Sequence, residues 1–514
     1  MLLNVMKSHK KHFAVTSFFL YVTCLTFSWV LLQPPYSVSD EPSHTIKAVA
    51  SAYGQFDRPQ FIGQFGYGAY GYDVPKVFTS IWHSTCYNDD TQTTAACIGD
   101  FPPGTEIVGS TSTAGPNPPT YYVAIGWLGR VFPSQTGFYL MRFLGALLFS
   151  LALTFTFALQ FSKSKSRNAW VSTLLLLTPA VSSFSAVINP FAYEIAAAAL
   201  FWTSAFLLTD KNRSNREAKQ IWVSLVSSAI FLSCIRPAAF VWISVIMFFV
   251  IVSVPGNMIR QKHFYEKNMR SILGVAFNAI VISIALTYRA QTDLVVDPTG
   301  AITPMVGAGG SMLSNMVISY EQVGSFFIQL FGYFGWTSFY PPVAVPVLFV
   351  TAVVMSIGIM RISTWRLRCG LAALFIFVYF GPVVLEGARA SSLGFFYQGR
   401  YILPVAIGIP VYIWLRGEER EPNRYTLLLT RSIVGLSAGS SIFAANYVAR
   451  RFVSGTNGRI LWFFDAKWNP PGGVYVTLGL LVGATIGACL LGAVVVSDND
   501  AKPQRDLVDS VQSR

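Results

Sequence analysis

Two adjacent carboxylates, Asp40 and Glu41, follow the first long apolar run of the chain and have the chemistry of a general base. Pro42 comes next, and proline suits the first turn of a helix because its missing N–H needs no partner there. Apolar residues then recur at helical spacing from Ile46 to Tyr53, which predicts a short amphipathic helix on the outer membrane surface. A helix N-terminus favours negative charge. Two interpretations stay open: a solvated helix cap, or an extracytoplasmic catalytic base.

The composition indicates the class of protein to which these carboxylates belong. The chain has 514 residues, of which 53% are hydrophobic and only 12% are charged, whereas soluble domains carry about 25% charged residues. Many apolar runs approach the ~20 residues that cross a bilayer, so we expect an all-α polytopic membrane protein. The net charge of +13 follows from basic residues between these runs, as the positive-inside bias requires, and indicates no nucleic-acid partner.

Hydropathy and charge predict about twelve membrane spans, with both termini in the cytoplasm. The first run, 13–32, is too long for a signal peptide and lacks an Ala-x-Ala site, so we expect a retained anchor. The predicted order is a cytoplasmic N-terminus (1–12), the first span (13–32), a long extracytoplasmic loop (33–137), spans two to seven (138–288), a second extracytoplasmic loop (289–342), spans eight to twelve (343–496) and a cytoplasmic tail (497–514). Individual spans are predicted at 138–160, 169–188, 191–208, two within 221–254, 271–288, 343–360, 369–385, 401–415, 432–448 and 474–496.

The first outer loop contains two further signals. Its aromatic and glycine-rich stretch at 61–72 suits the faces of sugar rings, or equally an interfacial aromatic belt. Cys86 and Cys97 lie outside the cytoplasm, where we expect a disulfide between them. Neither cysteine has the histidines or second cysteine pair of a zinc site. In the second outer loop, 312–334 is predicted to be helical and to lie against the membrane.

Several charged residues lie close to the predicted outer ends of spans. Arg236 falls at the junction of the two short spans in 221–254, where it is either functional or an arginine that reaches the headgroup layer. Glu194 opens the fourth span. His44 lies one turn into the surface helix, where it either binds phosphate or acceptor or is simply solvated.

Five motifs together resemble one bacterial membrane family, the domain-of-unknown-function family numbered 2142. They are Asp-Glu-Pro-x-His at 40–44, Asn-Pro-Pro-x-Tyr-Tyr at 117–122, Ser-Ala-Val-Ile-Asn-Pro-Phe-Ala-Tyr-Glu at 185–194, Arg-Pro at 236–237 and Gln-Gly-Arg-Tyr-x-x-Pro at 398–404. The resemblance covers about residues 15–450. Members often carry an acidic or amide residue where this chain has Phe191, so Glu194 is the candidate for that role.

The resemblance implies a GT-C-like glycosyltransferase, which transfers a sugar from a polyprenyl-phosphate carrier outside the membrane. The acidic pair of that class falls on Asp40 as first choice for the base and Glu41 as second. The phosphate would be bound by Arg400 first and Arg236 second. The other candidate substrate-binding residues are His44, Asn117, Glu194, Gln398 and Tyr401. No cofactor is expected; a divalent metal is possible, but two adjacent carboxylates do not make an all-protein site.

The expected partners are a lipid-linked sugar donor, an envelope glycan or glycolipid acceptor, and the lipids of a bacterial plasma membrane. Three alternatives stay open. The chain could be a transporter or flippase for lipid-linked glycans, a ligase or polymerase acting on them, or a non-catalytic envelope-assembly protein. Transporters bind substrate near the middle of the membrane, whereas the notable residues here are predicted at its outer face.

Overall fold

The fold was obtained as a computed structural model and consists mainly of helices. The structure describes residues 2–56, 60–62, 68–79, 86–87, 90–99, 101, 104–164, 166, 168–210, 214–237, 239–254, 269–292, 309–335, 339–395, 397–421 and 423–495. The predicted tail at 497–514 and most of the second outer loop before residue 309 lie outside these residues.

Eight helices in the described part of the chain are long and apolar enough to cross a membrane, and two more are apolar but shorter. The eight lie within α1 (Leu2–Leu32), α4 (Gln135–Lys163), α7 (Phe191–Leu208), α8 (Asn215–Ile235), α10 (Arg270–Thr292), α14 (Trp365–Leu393), α17 (Arg424–Val453) and α18 (Val474–Val494), and the shorter two are α9 (Ala239–Ser253) and α13 (Ala344–Ile359). They correspond to ten of the predicted spans, and the polytopic helical architecture is confirmed.

The other two predicted spans are not continuous helices. Residues 169–188 form α5 (Val171–Leu174) and α6 (Pro179–Ser185), and residues 401–415 form α15 (Leu403–Ala406) and α16 (Gly408–Arg416). Pro179 and Pro410 each lack the N–H that would bond four residues back, at the point where each helix breaks. Both segments are almost wholly buried in the bundle, where irregular backbone is tolerated at membrane depth.

The segment between α1 and α4 builds a small cap on one end of the bundle, which we call the α2 end. It contains α2 (Glu41–Ala52), three antiparallel strands β1 (Gln60–Ile62), β2 (Gly68–Pro75) and β3 (Ile107–Ser112), and α3 (Thr120–Val131). The helix α2 is where the sequence predicts it, but it does not lie open on a surface. Most of its residues are buried, because α3 packs on one side of it and the sheet on another.

Close packing of α2 on α3 depends on Gly126. A Cβ at this position would overlap the carbonyl of Ala48 in α2. Glycine therefore lets the two backbones touch, which fixes α2 over the ends of the membrane helices.

Two more short helices, α11 (Met312–Glu321) and α12 (Val323–Gln329), lie within the stretch predicted to be helical at 312–334. A 3₁₀ turn at Gly399–Ile402 contacts α12 and leads into α15. At the opposite end of the bundle, β4 (Met360–Arg361) pairs with β5 (Glu418–Glu419). The helical fold thus carries two small sheets that the sequence analysis did not predict.

Candidate functional site

Asp40 is held at the start of α2 in an unusual backbone conformation. Its φ is 71°, in the left-handed region, and its side chain does not cap the helix. Oδ2 instead accepts a hydrogen bond of 3.0 Å from Nη2 of Arg400, and 48% of the Asp40 side chain is exposed. A non-glycine residue in this region costs about 1–3 kcal/mol and is often found at functional sites. The side chain of Asp40 therefore does not cap α2 by a hydrogen bond, and its role as a base stays a prediction.

Arg400 lies in the Gln-Gly-Arg-Tyr motif, and α12 positions that motif. The amide of Gly399 donates to Oε1 of Gln329 at 2.6 Å, and a Cβ on Gly399 would overlap the carbonyl of Phe326. The guanidinium of Arg400 stacks 4.4 Å from the ring centre of Phe184, and only 8% of its side chain is exposed. Packing and the glycine thus hold this cation beside Asp40.

A second guanidinium, Arg236, lies between α8 and α9, as the sequence predicts. Its Nη1 is 3.3 Å from Oε2 of Glu194, which is buried at the start of α7. Its guanidinium carbon is 5.7 Å from the ring centres of both Phe191 and Tyr401. Arg400 approaches the same two rings, at 6.0 Å and 5.3 Å. Two aromatic side chains therefore hold the two cations in one cluster.

His44 faces the same cluster from the first turns of α2. Its Nδ1 is 2.8 Å from the hydroxyl of Tyr122, which also accepts a bond of 3.0 Å from Nδ2 of Asn117. Burial, against an opposing effect of Asp40 and with smaller contributions from Arg236 and Arg400, lowers the pKa of His44 to about 3. His44 is therefore a neutral ring at physiological pH. It offers a hydrogen bond, not a positive charge for a phosphate.

Glu41 does not face the surface with its neighbour, which corrects the expectation for the acidic pair. Its carboxylate accepts two bonds from Arg142, at 2.7 and 2.6 Å, and one each from the amides of Tyr36 and Ile188. Both side chains of the ion pair are fully buried. Tyr36, like Asp40, has a positive φ. We therefore assign Glu41 to positioning, since it fixes the turn that presents Asp40.

Sequence reasoning missed Arg142, which also donates to the carbonyls of Val30, Gln33 and Pro34 at the end of α1. A signal was available, because Arg142 is a charged residue inside an otherwise apolar span. Sequence reasoning also missed Phe184, the ring on which the guanidinium of Arg400 stacks. No sequence signal separates that phenylalanine from others in the core.

Two of the predicted site elements form no side-chain hydrogen bond with the cluster among the described residues. The side chain of Gln398 makes no hydrogen bond with the described residues; its carbonyl accepts from the amide of Tyr401 in the 3₁₀ turn. Cys86 and Cys97 form the expected disulfide, and their loop is held to α17 by Arg451, which donates to the carbonyls of Tyr87, Asp90 and Thr93.

The described ranges contain no group of three or more His, Cys, Asp or Glu side chains placed to hold a metal ion. The cluster formed by Asp40, His44, Glu194, Arg236, Arg400 and Tyr401 instead suits an anionic ligand with hydroxyl groups. Guanidinium groups bind phosphate, and the exposed carboxylate can accept a hydroxyl proton.

Comparisons with known proteins identify a family. The family model described as "Predicted membrane protein (DUF2142)" matches residues 24–409. No curated protein matches the chain. Two solved structures of ArnT from Cupriavidus metallidurans resemble the fold distantly. The form bound to undecaprenyl phosphate has 13% identity and a TM-score of 0.40 over 93% of this chain and 75% of that one. The apo form has 11% identity and a TM-score of 0.43 over 93% and 76%.

Proposed function

Because this chain belongs to the DUF2142 family of predicted membrane proteins and gathers a carboxylate and two guanidinium groups at one end of its bundle, we propose that it is a GT-C-type glycosyltransferase. Its donor would be a sugar on a polyprenyl phosphate. Its acceptor would be a hydroxyl of a cell-envelope glycan or glycolipid on the extracytoplasmic face. The contact between Asp40 and Arg400 carries this proposal, because it joins a base to a phosphate-binding cation.

The reaction follows from the chemistry of these groups. A carboxylate oxygen of Asp40 takes the proton of the acceptor hydroxyl. At the same time, the oxygen of that hydroxyl attacks the anomeric carbon of the donor. The bond between this carbon and the phosphate oxygen breaks, and its electron pair leaves with the polyprenyl phosphate. Attack opposite the leaving group inverts the anomeric configuration. Oδ1 of Asp40 accepts no hydrogen bond from the described residues, so it is available to the acceptor.

The two arginines would stabilise the departing phosphate. Arg400 is nearly buried and Arg236 is about a quarter exposed, so neither cation is strongly screened by water. Preorganised charge of this kind stabilises developing negative charge without reorganisation during the reaction. Each arginine has one carboxylate partner in the resting site, and phosphate would compete with Asp40 for Arg400. Donor binding would thereby release Asp40 to act as the base.

An apolar groove supports a lipid-linked donor. It has a volume of about 440 Å³ and is lined by α12 to α16, including Leu330, Phe349 and Leu403. Leu403 lies three residues after Arg400, so the groove begins beside the cluster. Val354 and Ile376 on its walls are exposed on the outside of the bundle. An isoprenoid chain could enter this groove from the bilayer while its phosphate meets Arg400.

A transporter of lipid-linked glycans is the second candidate, favoured by the two broken segments in the core. Discontinuous helices are typical of the substrate sites of transporters. In that case the same charges would bind a substrate without reacting. The carboxylate of Asp40 would then contribute to affinity but would not be essential for a chemical step.

The test is a lipid and glycan mass profile of four strains. They are wild type, a null mutant, and the null complemented with Asp40→Asn or with Glu106→Gln at equal protein level. Glu106 is a matched control because its exposed carboxylate lies away from the cluster, paired with Lys76. We expect the Asp40→Asn strain to match the null, lacking one envelope sugar and accumulating the lipid-linked donor. Restoration of the wild-type profile by Asp40→Asn would reject the transferase.

A further inference from the structure

Three arginines at the end of the bundle opposite α2 line one groove. They are Arg361 in β4, Arg368 in the first turn of α14 and Arg420, which follows β5. All three are exposed, and none forms an ion pair with an acidic side chain among the described residues. Arg368 uses one N–H to bond the carbonyl of Ile362. Most of their hydrogen-bond donors therefore remain available to a ligand.

The small sheet fixes these cations relative to one another. Arg361 lies opposite Glu418, and Met360 lies opposite Glu419. The carboxylate of Glu419 accepts bonds of 2.7 Å from Asn168 and 2.8 Å from Ser166, and among the described residues it forms no ion pair with the three arginines. Glu418 is exposed, and it forms no ion pair with another side chain in the described part of the chain. The described residues that line the groove therefore include three arginines and no acidic side chain.

The remaining walls of the groove are apolar. Ile357, Leu371 and Phe375 line it beside the arginines, and its volume is about 440 Å³. Phe375 also lines the apolar groove on the outside of the bundle that was described above, so this wall faces the region of lipid chains. Cations at one side and hydrocarbon at the other match a ligand that has an anionic head and an acyl tail.

We propose that this groove is a binding site for an anionic phospholipid of the leaflet at this end of the bundle. Arginine binds phosphate oxygens through two parallel N–H bonds, and basic pockets between membrane helices are suited to anionic headgroups. The acyl chains would lie along Leu371 and Phe375. The site lies across the bundle from Asp40 and Arg400, so the proposal does not rest on the transferase function.

The experiment is native mass spectrometry of the purified full-length protein in detergent, with three probes added in turn. Phosphatidylglycerol is the anionic lipid, phosphatidylcholine with the same chains is the neutral one, and glycerol 3-phosphate is the soluble head alone. The test variant is Arg361→Gln with Arg368→Gln and Arg420→Gln. The control variant is Arg270→Gln with Arg424→Gln and Arg431→Gln, which removes equal charge from exposed positions at the same end, outside the groove.

We expect the wild type to bind phosphatidylglycerol at least about tenfold more tightly than phosphatidylcholine. The test variant should bind phosphatidylglycerol about 100-fold more weakly, since each arginine near a headgroup contributes about fivefold. The control variant should change less than about threefold. Equal binding of the two lipids, or equal losses in both variants, would overturn the site. Glycerol 3-phosphate bound as tightly as the lipid would show a phosphate site without a lipid role. If the triple variant does not fold, Arg368→Gln alone should weaken binding about fivefold.

Discussion

Glu41 and Asp40 are neighbours of the same charge, yet the structure predicts opposite consequences when each is neutralised. Glu41→Gln leaves the fully buried Arg142 without a countercharge. It also replaces one carboxylate oxygen by an amide NH₂ group, which cannot accept the bonds that Arg142 and the backbone amides donate to Glu41. Breaking a buried pair by removing one partner costs about 3–5 kcal/mol. The variant should therefore be destabilised by about that amount and should lose activity through unfolding.

Glu106→Gln is the matched control for this substitution. The ion pair of Lys76 with Glu106 is as short as that of Arg142 with Glu41, at 2.6 Å, but its side chains are 50% and 60% exposed. Exposed pairs contribute at most about 1 kcal/mol. Asp40→Asn removes the carboxylate partner of the nearly buried Arg400, but it should cost less stability than Glu41→Gln because about half of Asp40 is exposed. We expect this variant to stay folded and to lose transfer.

The assay is reversible unfolding in bicelles by SDS titration, followed by tryptophan fluorescence, for wild type and the three variants. Because the same chemical change is made at Glu41 and Glu106, the difference in the free energy of unfolding reports burial alone. If Glu41→Gln were no less stable than Glu106→Gln, the assignment of Glu41 to positioning would be refuted. A loss of stability in Asp40→Asn as large as that in Glu41→Gln would likewise contradict its role as an exposed base.

Three further outcomes are expected. Burial holds the pKa of His44 near 3, whereas an unfolded histidine titrates near 6.5, so the unfolded state binds more protons between these pH values. Lowering the pH from 8 to 5 should therefore reduce the free energy of unfolding by about 2 kcal/mol through this residue. The variant His44→Gln should lose that part of the pH dependence. Gly399→Ala should destabilise by about 1–3 kcal/mol because its Cβ overlaps the backbone of the preceding short helix, whereas Gly435→Ala, in open helical surface, should be neutral or stabilising in the same unfolding assay. Replacing Cys86 and Cys97 by serine should lower the free energy of unfolding by about 2–3 kcal/mol; no change in the SDS midpoint would mean that Arg451 alone holds the loop.

The sequence was informative where local pattern decides the outcome. Hydropathy predicts ten spans at which the structure has an apolar helix, eight of them long enough to cross a membrane, and helical spacing after Pro42 predicts α2. Cys86 and Cys97 are the two cysteines of the segment between α1 and α4, so their pairing needed no knowledge of the fold. The motifs also identified five candidate site residues before any contact between them was known: Asp40, His44, Glu194, Arg236 and Arg400.

Hydropathy failed at the two broken segments because it measures composition and not continuity. Residues 169–188 and 401–415 are apolar enough for a membrane, but Pro179 and Pro410 interrupt their hydrogen bonding. Their irregular backbone is stable only because neighbouring helices bury it. Such burial is a property of the packed bundle and leaves no local trace in the sequence.

By itself, the sequence determined that this is a helical membrane protein with a compact set of charged residues near the ends of its spans. Only the tertiary structure decided how those charges are paired. Asp40 meets Arg400 across 360 residues of chain, while Glu41 turns inward to Arg142. The two carboxylates share one local sequence context, and which of them is buried depends on the helices that pack around α2. Partner choice of this kind is set by long-range packing, which a local pattern does not encode.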